Sequence, residues 1–263
     1  MSTSYHFAHA VVRRPSNSIA KGLRAADVGN PDPDQFDIQH RAYIAALEDA
    51  GVKVEILPAW ESFPDSVFIE DSSLCLPKGA VVMRPGAPSR TGESAAMAAI
   101  LENYFADVRT ISGPGFIEGG DILVTDSEII VGLSDRTDRA GVEELSACVA
   151  DWGMVVRTLE TPSDVLHFKT ACGLLDAETI LLTEQMAKAD FFTNYRTLVI
   201  PKGEEAAANA IRVNERVFVS DGFPKTAEML VKAGYRVIAL DTGEAAKVDG
   251  GLSCMSLRFS PQI

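Results

Sequence analysis

The chain has 263 residues, 46% of them apolar and 23% charged, enough for a packed core and ordinary for a soluble globular protein. A net charge of −13 leaves no basic surface to neutralise phosphates, which excludes nucleic acid and anionic membranes as partners. The four cysteines (Cys75, Cys148, Cys172, Cys254) form no CxxC pair, so structural zinc is not expected, and the N-terminal stretch carries neither a signal-peptide core nor a bilayer-length apolar run.

A reducing, cytoplasmic location is therefore the expectation, one in which a free thiolate survives. In chain order, residues 8–12 read as a strand and 13–18 as a polar loop. Residues 34–50 have helical spacing, with Phe36, Ile38, Tyr43, Ile44 and Leu47 as the apolar positions and Gly51 as the stop signal. A strand follows at 52–57. Strands are then expected at 66–76 and 80–84, a helix at 92–105 and a strand at 108–111. The same order returns with strands at 120–125 and 128–132, a helix at 139–152 and a strand at 154–158. It returns again with strands at 169–175 and 179–182, a weaker helical patch and a strand at 196–200. A last full copy has strands at 210–213 and 216–220, a helix at 224–233 and a strand at 236–239, before a final strand at 252–259.

These copies start at comparable polar points. Glu70, Glu118, His167, Asn209 and Cys254 are separated by 48, 49, 42 and 45 residues. A period of this length indicates a ring or a solenoid. The first strand has no partner before it and the last none after it, so pairing them closes a ring and removes an open sheet edge. No linker or composition break divides the chain, and one domain over 1–263 is expected. In such a ring the five polar points meet near the axis.

The chemistry follows from what stands at those points. Cysteine is among the most often buried residues, and Cys75, Cys148 and Cys172 read as core. Cys254 differs, because it follows Asp249-Gly250-Gly251 at an axial point where glycines permit close approach of a ligand. His167 can act as acid and base, and Glu118 can orient it, giving a cysteine–histidine–carboxylate set. Glu70 and Asp71 are adjacent, and Asp65 shares strand parity with Asp71 if that stretch is extended. Clustered acids call for a cation, and a guanidinium is a planar, permanently charged, multiple donor. Arg90 and Arg136 hold matching loop positions in consecutive copies and suit a carboxylate.

The segments PDSVFIED, RPGAPSRTGE, FIEGGDIL, GLSDRT, HFKT, ANAIRV, GFPKTAEML and VDGGLSC resemble, in order and over nearly the whole chain, the dimethylarginine dimethylaminohydrolase (dimethylargininase) family of the amidinotransferase and arginine-deiminase superfamily. The resemblance implies the α/β pentein fold, a five-bladed propeller of ββαβ-type units with the active site on the axis. It implies hydrolysis of N-omega-methylated arginines to citrulline and an amine through a covalent S-alkylthiouronium. Carried over by position, Cys254 is the nucleophile, His167 the proton donor and acceptor, and Glu118 the carboxylate held against the histidine. Asp71 with Glu70 holds the guanidinium, Arg90 and Arg136 hold the α-carboxylate, and Asp65 with the backbone near Ile19 and Val248 meets the α-amino group. No metal and no cofactor is implied; the partner is a small guanidino amino acid, and a homodimer is compatible.

Arginine deiminases resemble the chain too, but carry an aspartate two residues after the histidine, where Lys169 stands here. A lysine cannot accept guanidinium hydrogen bonds, which leaves room for N-methyl groups. The alternatives are an arginine deiminase-like or other guanidino-compound hydrolase of the superfamily, separated by substrate profiling, and a non-enzymatic ligand-binding propeller, separated by covalent labelling at Cys254. No GxSxG, GxGxxG or Walker motif is present, which sets serine-hydrolase and phosphate-loop chemistry aside.

Overall fold

The computed structural model describes residues 4–188 and 190–261; the ends of the expected 1–263 unit and residue 189 lie outside the described residues. Among the described residues, fifteen strands form five three-stranded sheets. The first holds β1 (His9–Arg13), β2 (Lys53–Leu57) and the last strand, β15 (Leu257–Phe259), which pairs antiparallel with β1. The others are, in order, β3 (Ser73–Leu76), β4 (Gly79–Val82) and β5 (Val108–Thr110); β6 (Ile122–Val124), β7 (Ile129–Leu133) and β8 (Val156–Glu160); β9 (Cys172–Leu174), β10 (Thr179–Leu182) and β11 (Arg196–Val199); and β12 (Ile211–Val213), β13 (Arg216–Ser220) and β14 (Arg236–Leu240). In each of these four a hairpin is followed by a parallel third strand. Parallel pairing needs a crossover, which helices supply.

Those helices are α1 (Pro33–Asp49), the short pair α2 (Thr91–Ala95) and α3 (Met97–Leu101), α4 (Arg139–Val149), the single-turn α5 (Glu184–Ala187) and α6 (Pro224–Lys232), with a further single turn, α7 (Gly243–Ala246), before the last strand. Helix α1 starts where its sequence directs: the Asp32 side chain accepts from the N–H groups of Asp34 and Gln35, and Pro33 occupies the first turn. Asp138 caps α4 in the same way. No helix among the described residues is long and apolar enough to cross a membrane.

The central strands are buried on both faces. In β7, Ile129 and Val131 face Val142, Leu145 and Val149 of α4, while Ile130 faces Phe168 and Ile180 of the next blade. Period-2 alternation therefore delivers one strand to two cores, which is why these strands are continuous apolar runs. Fully burying each such Ile or Val is worth about 1.5–3 kcal/mol. The outermost strands β2, β5, β8, β11 and β14 are largely half-buried or exposed.

Several expected strands are shorter than the sequence suggests, chiefly at the axial end. Residues 64–72 form two consecutive 3-10 turns, and the strand begins only at Ser73. Similar turns stand at Gly119–Asp121, Phe168–Thr170 and Glu205–Ala208, and these turns pack against one another around the axis. The parity argument for Asp65 and Asp71 thus fails in its premise, since neither lies in a strand. The apolar residues that extend those runs point into the core from turns. The expected helix 92–105 is likewise two short segments with a break at Ala96.

Candidate active site

The axial turns line a narrow cleft whose wall includes Asp65, Asp71, Arg90, Glu118, Arg136, His167, Val248 and Cys254. Residues from six separate stretches of sequence therefore share one small space.

Glu118 is fully buried at the start of the Gly119–Asp121 turn. Its Oε1 accepts from the backbone N–H of Gly86 (3.0 Å) and Ala87 (3.3 Å), and its Oε2 lies 2.7 Å from Nε2 of His167. The loop that carries His167 is fixed by Asp121: its Oδ1 accepts from Phe168 N–H at 2.8 Å and its Oδ2 from the Ser134 hydroxyl at 2.7 Å. Burial alone would lower the imidazole pKa, but Asp71, the Glu118 hydrogen bond and Asp121 outweigh it and raise it to about 9. His167 is an imidazolium at neutral pH.

Asp71 is buried, with Oδ1 accepting from Gly120 N–H at 2.9 Å and Oδ2 paired with Arg90 Nη1 at 2.5 Å. Burial pushes its carboxyl up, yet His167 and Arg90 prevail and hold it below the usual carboxylate range. Arg90 is itself buried. Its Nε and Nη2 donate to Glu93, and Nη2 also to the carbonyls of Asp65 and Phe68. Glu93 was not a candidate from sequence, although it lies one helical turn from Arg90, the spacing at which such pairs form. Arg136 is less committed: its Nη1 stands 3.8 Å from Glu118, and the side chain remains 20% exposed on the cleft.

Cys254 is half-buried, with its carbonyl accepting from Glu70 N–H at 3.1 Å. Desolvation, and then the charges of Glu70 and Asp71, push the thiol up to about 12. In the free protein it is a thiol.

Glu70 behaves differently from its neighbour. Adjacent residues of a tight turn point in different directions, and the Glu70 carboxylate turns away from the cleft. It lines a second cavity of ≈ 120 Å³ at the other end of the axis, where Oε1 pairs with Lys169 at 2.6 Å and Arg258 at 3.0 Å. Asp71, not Glu70, presents the pocket-facing carboxylate. Lys169 is thus more than a missing acceptor, since it neutralises an acid beneath the site.

Asp65 accepts from Leu23 N–H at 2.9 Å, and burial pushes its carboxyl up. Val248 lines the cleft, whereas Ile19 does not: its side chain is fully buried in the core, and its carbonyl accepts from Gly22 N–H. Leu23, Phe68 and Leu166 line the cleft without having been assigned a role from sequence, and Asp249 and Gly250, from the glycine stretch before Cys254, line it too. Leu23 follows Gly22 at the end of the same turn that carries Ile19, whose expected contact was through its backbone. The loop is tied across the cleft, with the N–H groups of Asn17 and Ser18 on Glu61 and that of Ala25 on Asp249.

Donor atoms of Asp71, Glu118 and His167 lie within 4.8 Å of one another, a spacing a metal could bridge. Their facing atoms are already engaged with Arg90, Gly120 and each other, so the set is one of interlocked acids and base rather than a cage of open donors.

A thiol, a carboxylate-held imidazolium and a buried acid at the hub of five blades define a cysteine hydrolase acting on amidine carbon–nitrogen bonds. The family model described as Arginine deiminase matches residues 59–217, and the chain belongs to that family. It is 39% identical over 257 residues to the N(G),N(G)-dimethylarginine dimethylaminohydrolase of Pseudomonas aeruginosa, covering 96% of this chain and 100% of that one. Among solved structures, it is similar to a cysteine-to-serine mutant of DDAH from Pseudomonas aeruginosa complexed with citrulline, with a TM-score of 0.94, 38% identity, and coverage of 97% and 100% of the two chains. It is equally similar, at TM-score 0.94 and 38% identity over 96% of this chain and 100% of the other, to a histidine-to-glycine mutant of a dimethylarginine dimethylaminohydrolase in an adduct with S-methyl-L-thiocitrulline.

Proposed function

We propose that this protein hydrolyses N-omega-methylated arginines to citrulline and dimethylamine or methylamine, acting as one catalytic unit in the cytoplasm, where a reducing environment keeps Cys254 free. The observation that carries the reading is the shared cleft of Cys254, His167, Glu118 and Asp71. It is supported by the citrulline complex and the thiocitrulline adduct of its relatives.

The charges dictate the order of events. Asp71 attracts the substrate guanidinium, and Arg136, with Arg90 behind it, faces the α-carboxylate. Asp65 and the backbone near Val248 receive the α-amino group. Guanidinium charge beside Cys254 offsets Glu70 and Asp71, and the thiol gives up its proton to solvent. The sulfur attacks the guanidinium carbon. His167, protonated in advance, passes its proton to the amine nitrogen as the C–N bond breaks, because an unprotonated amine leaves poorly. The thiouronium then remains on sulfur. His167, now neutral, takes a proton from water as that water attacks the same carbon; the C–S bond breaks with its electron pair returning to sulfur, the new hydroxyl gives its proton to solvent, and citrulline departs. Covalent catalysis divides one hard substitution into two easier ones.

The test is citrulline release from asymmetric dimethylarginine, monomethylarginine and arginine, by wild type and by Cys254→Ser. Turnover of the methylated substrates that disappears in a folded Cys254→Ser protein is the expected result. Full activity of Cys254→Ser removes the mechanism, and much faster turnover of plain arginine replaces the substrate class.

A further inference from the structure

Three of the five axial points, Glu118, His167 and Cys254, have a part in the reaction and Glu70 is spent on Lys169 and Arg258, but Asn209, the start of the fourth copy, has no assigned part. Its amide is fully used. Nδ2 donates to the Lys169 carbonyl at 3.0 Å and to Ser253 Oγ at 3.0 Å, while Oδ1 accepts from Ser253 N–H at 2.9 Å. The Lys169 carbonyl can only accept, which settles which end of the amide is nitrogen. Asn209 therefore ties the loop two residues beyond His167 to the residue directly before Cys254.

The consequence falls on the Ser253 proton. Ser253 Oγ accepts from Asn209, so its own hydrogen is free to donate, and Cys254 Sγ lies 3.8 Å from that oxygen. Gly251 completes the loop. A Cβ there would stand 2.6 Å from Asn209 Oδ1 and 2.7 Å from its Cγ, so only glycine lets the chain close over the amide.

We propose that Asn209 is the positioning residue of the nucleophile: by holding Ser253 at both backbone and hydroxyl, it aims the Ser253 O–H at Cys254 Sγ and gives the thiolate a donor that the substrate does not bring. The surroundings make such a donor useful. Glu70 and Asp71 both oppose ionisation of the sulfur. The nearby cations are spent, Lys169 and Arg258 on Glu70 and Arg90 on Asp71 and Glu93, while the His167 imidazolium is held by Glu118. Asn209 is neutral and can orient a donor without adding charge.

The inference rests on Cys254 being the nucleophile, and its test reads the sulfur without turnover. Cys254 is alkylated with iodoacetamide at one fixed pH near 8, and its peptide is followed by mass spectrometry. Since only thiolate reacts, loss of one hydrogen bond slows alkylation about tenfold. Ser253→Ala and Asn209→Ala are each expected to show that loss, together with a comparable fall in kcat and little change in KM. Ser253→Thr, which keeps the hydroxyl, retains the wild-type rate. The Asn209→Ala/Ser253→Ala double variant is no slower than Ser253→Ala alone, because Asn209 acts through that hydroxyl. If Asn209→Ala does not fold, Asn209→Leu keeps the size, removes the donor to Ser253 without adding charge, and serves in both backgrounds. Wild-type alkylation in Ser253→Ala, or an Asn209 effect that persists undiminished without the Ser253 hydroxyl, overturns the proposal. A wrong nucleophile shows separately, as a Cys254→Ser protein that still turns over.

Discussion

The imidazole of His167 meets the wholly buried carboxylate of Glu118 at 2.7 Å, through Nε2 and Oε2. Burial would strip the imidazole of its proton; Asp71, Glu118 and Asp121 return it and carry the pKa to about 9. Because the folded value is raised above the ordinary 6.5, this group's contribution to stability is complete below about 6.5 and is lost as pH rises through about 9. Glu118→Gln keeps the shape and removes the charge. We expect kcat to fall about 100-fold with a far smaller change in KM. The alkaline limb of the kcat profile should move down by roughly one pH unit, and the alkaline decline in stability should flatten. A limb that stays in place removes Glu118 from its role.

The two arginines of the cleft separate into different tasks. Arg136 is partly exposed and loosely held, whereas Arg90 is buried between Asp71 and Glu93. Arg136→Ala is expected to raise KM for methylarginines about 10–100-fold, the worth of one charge-assisted hydrogen bond, with no change in melting temperature. A substrate analogue lacking the α-carboxylate should be indifferent to the change. Arg90→Ala leaves two buried acids facing one another and is expected to cost about 3–5 kcal/mol in urea unfolding. Equal melting temperatures for the two variants would show that Arg90 is not structural.

What could be read from the sequence follows the physics of each feature. The blades were legible because apolar runs, turns and helices repeat with a fixed period, and closure through β1 and β15 followed from two strands left unpaired. The residue types at the axial points were legible for the same reason. Side-chain direction was not, because it depends on the turns at the axis. Glu70 and Asp71 look equivalent in sequence, yet a 3-10 turn sends one carboxylate to the cleft and the other to Lys169 and Arg258. The Ile19 side chain packs into the core while Leu23, four residues on, lines the cleft, a division that packing and not spacing decides. Glu93 was legible only as a partner three residues from Arg90, and Asp121 not at all, because its role is to hold the His167 loop through Phe168 N–H and Ser134, residues distant in sequence.

Lys169 was the residue that distinguished this chain from a deiminase, and its contact with Glu70 gives it a measurable structural weight. Glu70 is buried with Oε1 held by two cations and Oε2 without a hydrogen-bond partner. Lys169→Met removes one cation and leaves the acid undercompensated, which should cost about 3 kcal/mol in urea unfolding. Adding Glu70→Gln should recover part of that loss, since a neutral amide needs no second cation. If Lys169→Met is as stable as wild type, the pair is not part of what holds the hub together.

Two consecutive glycines test how tightly the hub is packed. A Cβ at Gly119 would fall on the carbonyl oxygen of Glu70, which is backbone and belongs to the turn that binds the Cys254 carbonyl. A Cβ at Gly120 would stand 2.7 Å from Asp71 Oδ1 and 2.8 Å from the His167 ring, both of them side chains that can rotate. The same added methyl should therefore act in two ways. Gly119→Ala displaces backbone from both sides of the axis and is expected to lose about 3 kcal/mol or more of stability. Gly120→Ala should cost less, about 1–2 kcal/mol, while its kcat falls about 100-fold because the acid and the base are each pushed from their places. Unfolding curves and kcat measured on both proteins decide the matter: a Gly120→Ala enzyme with wild-type kcat would mean that Asp71 and His167 tolerate displacement the mechanism does not allow.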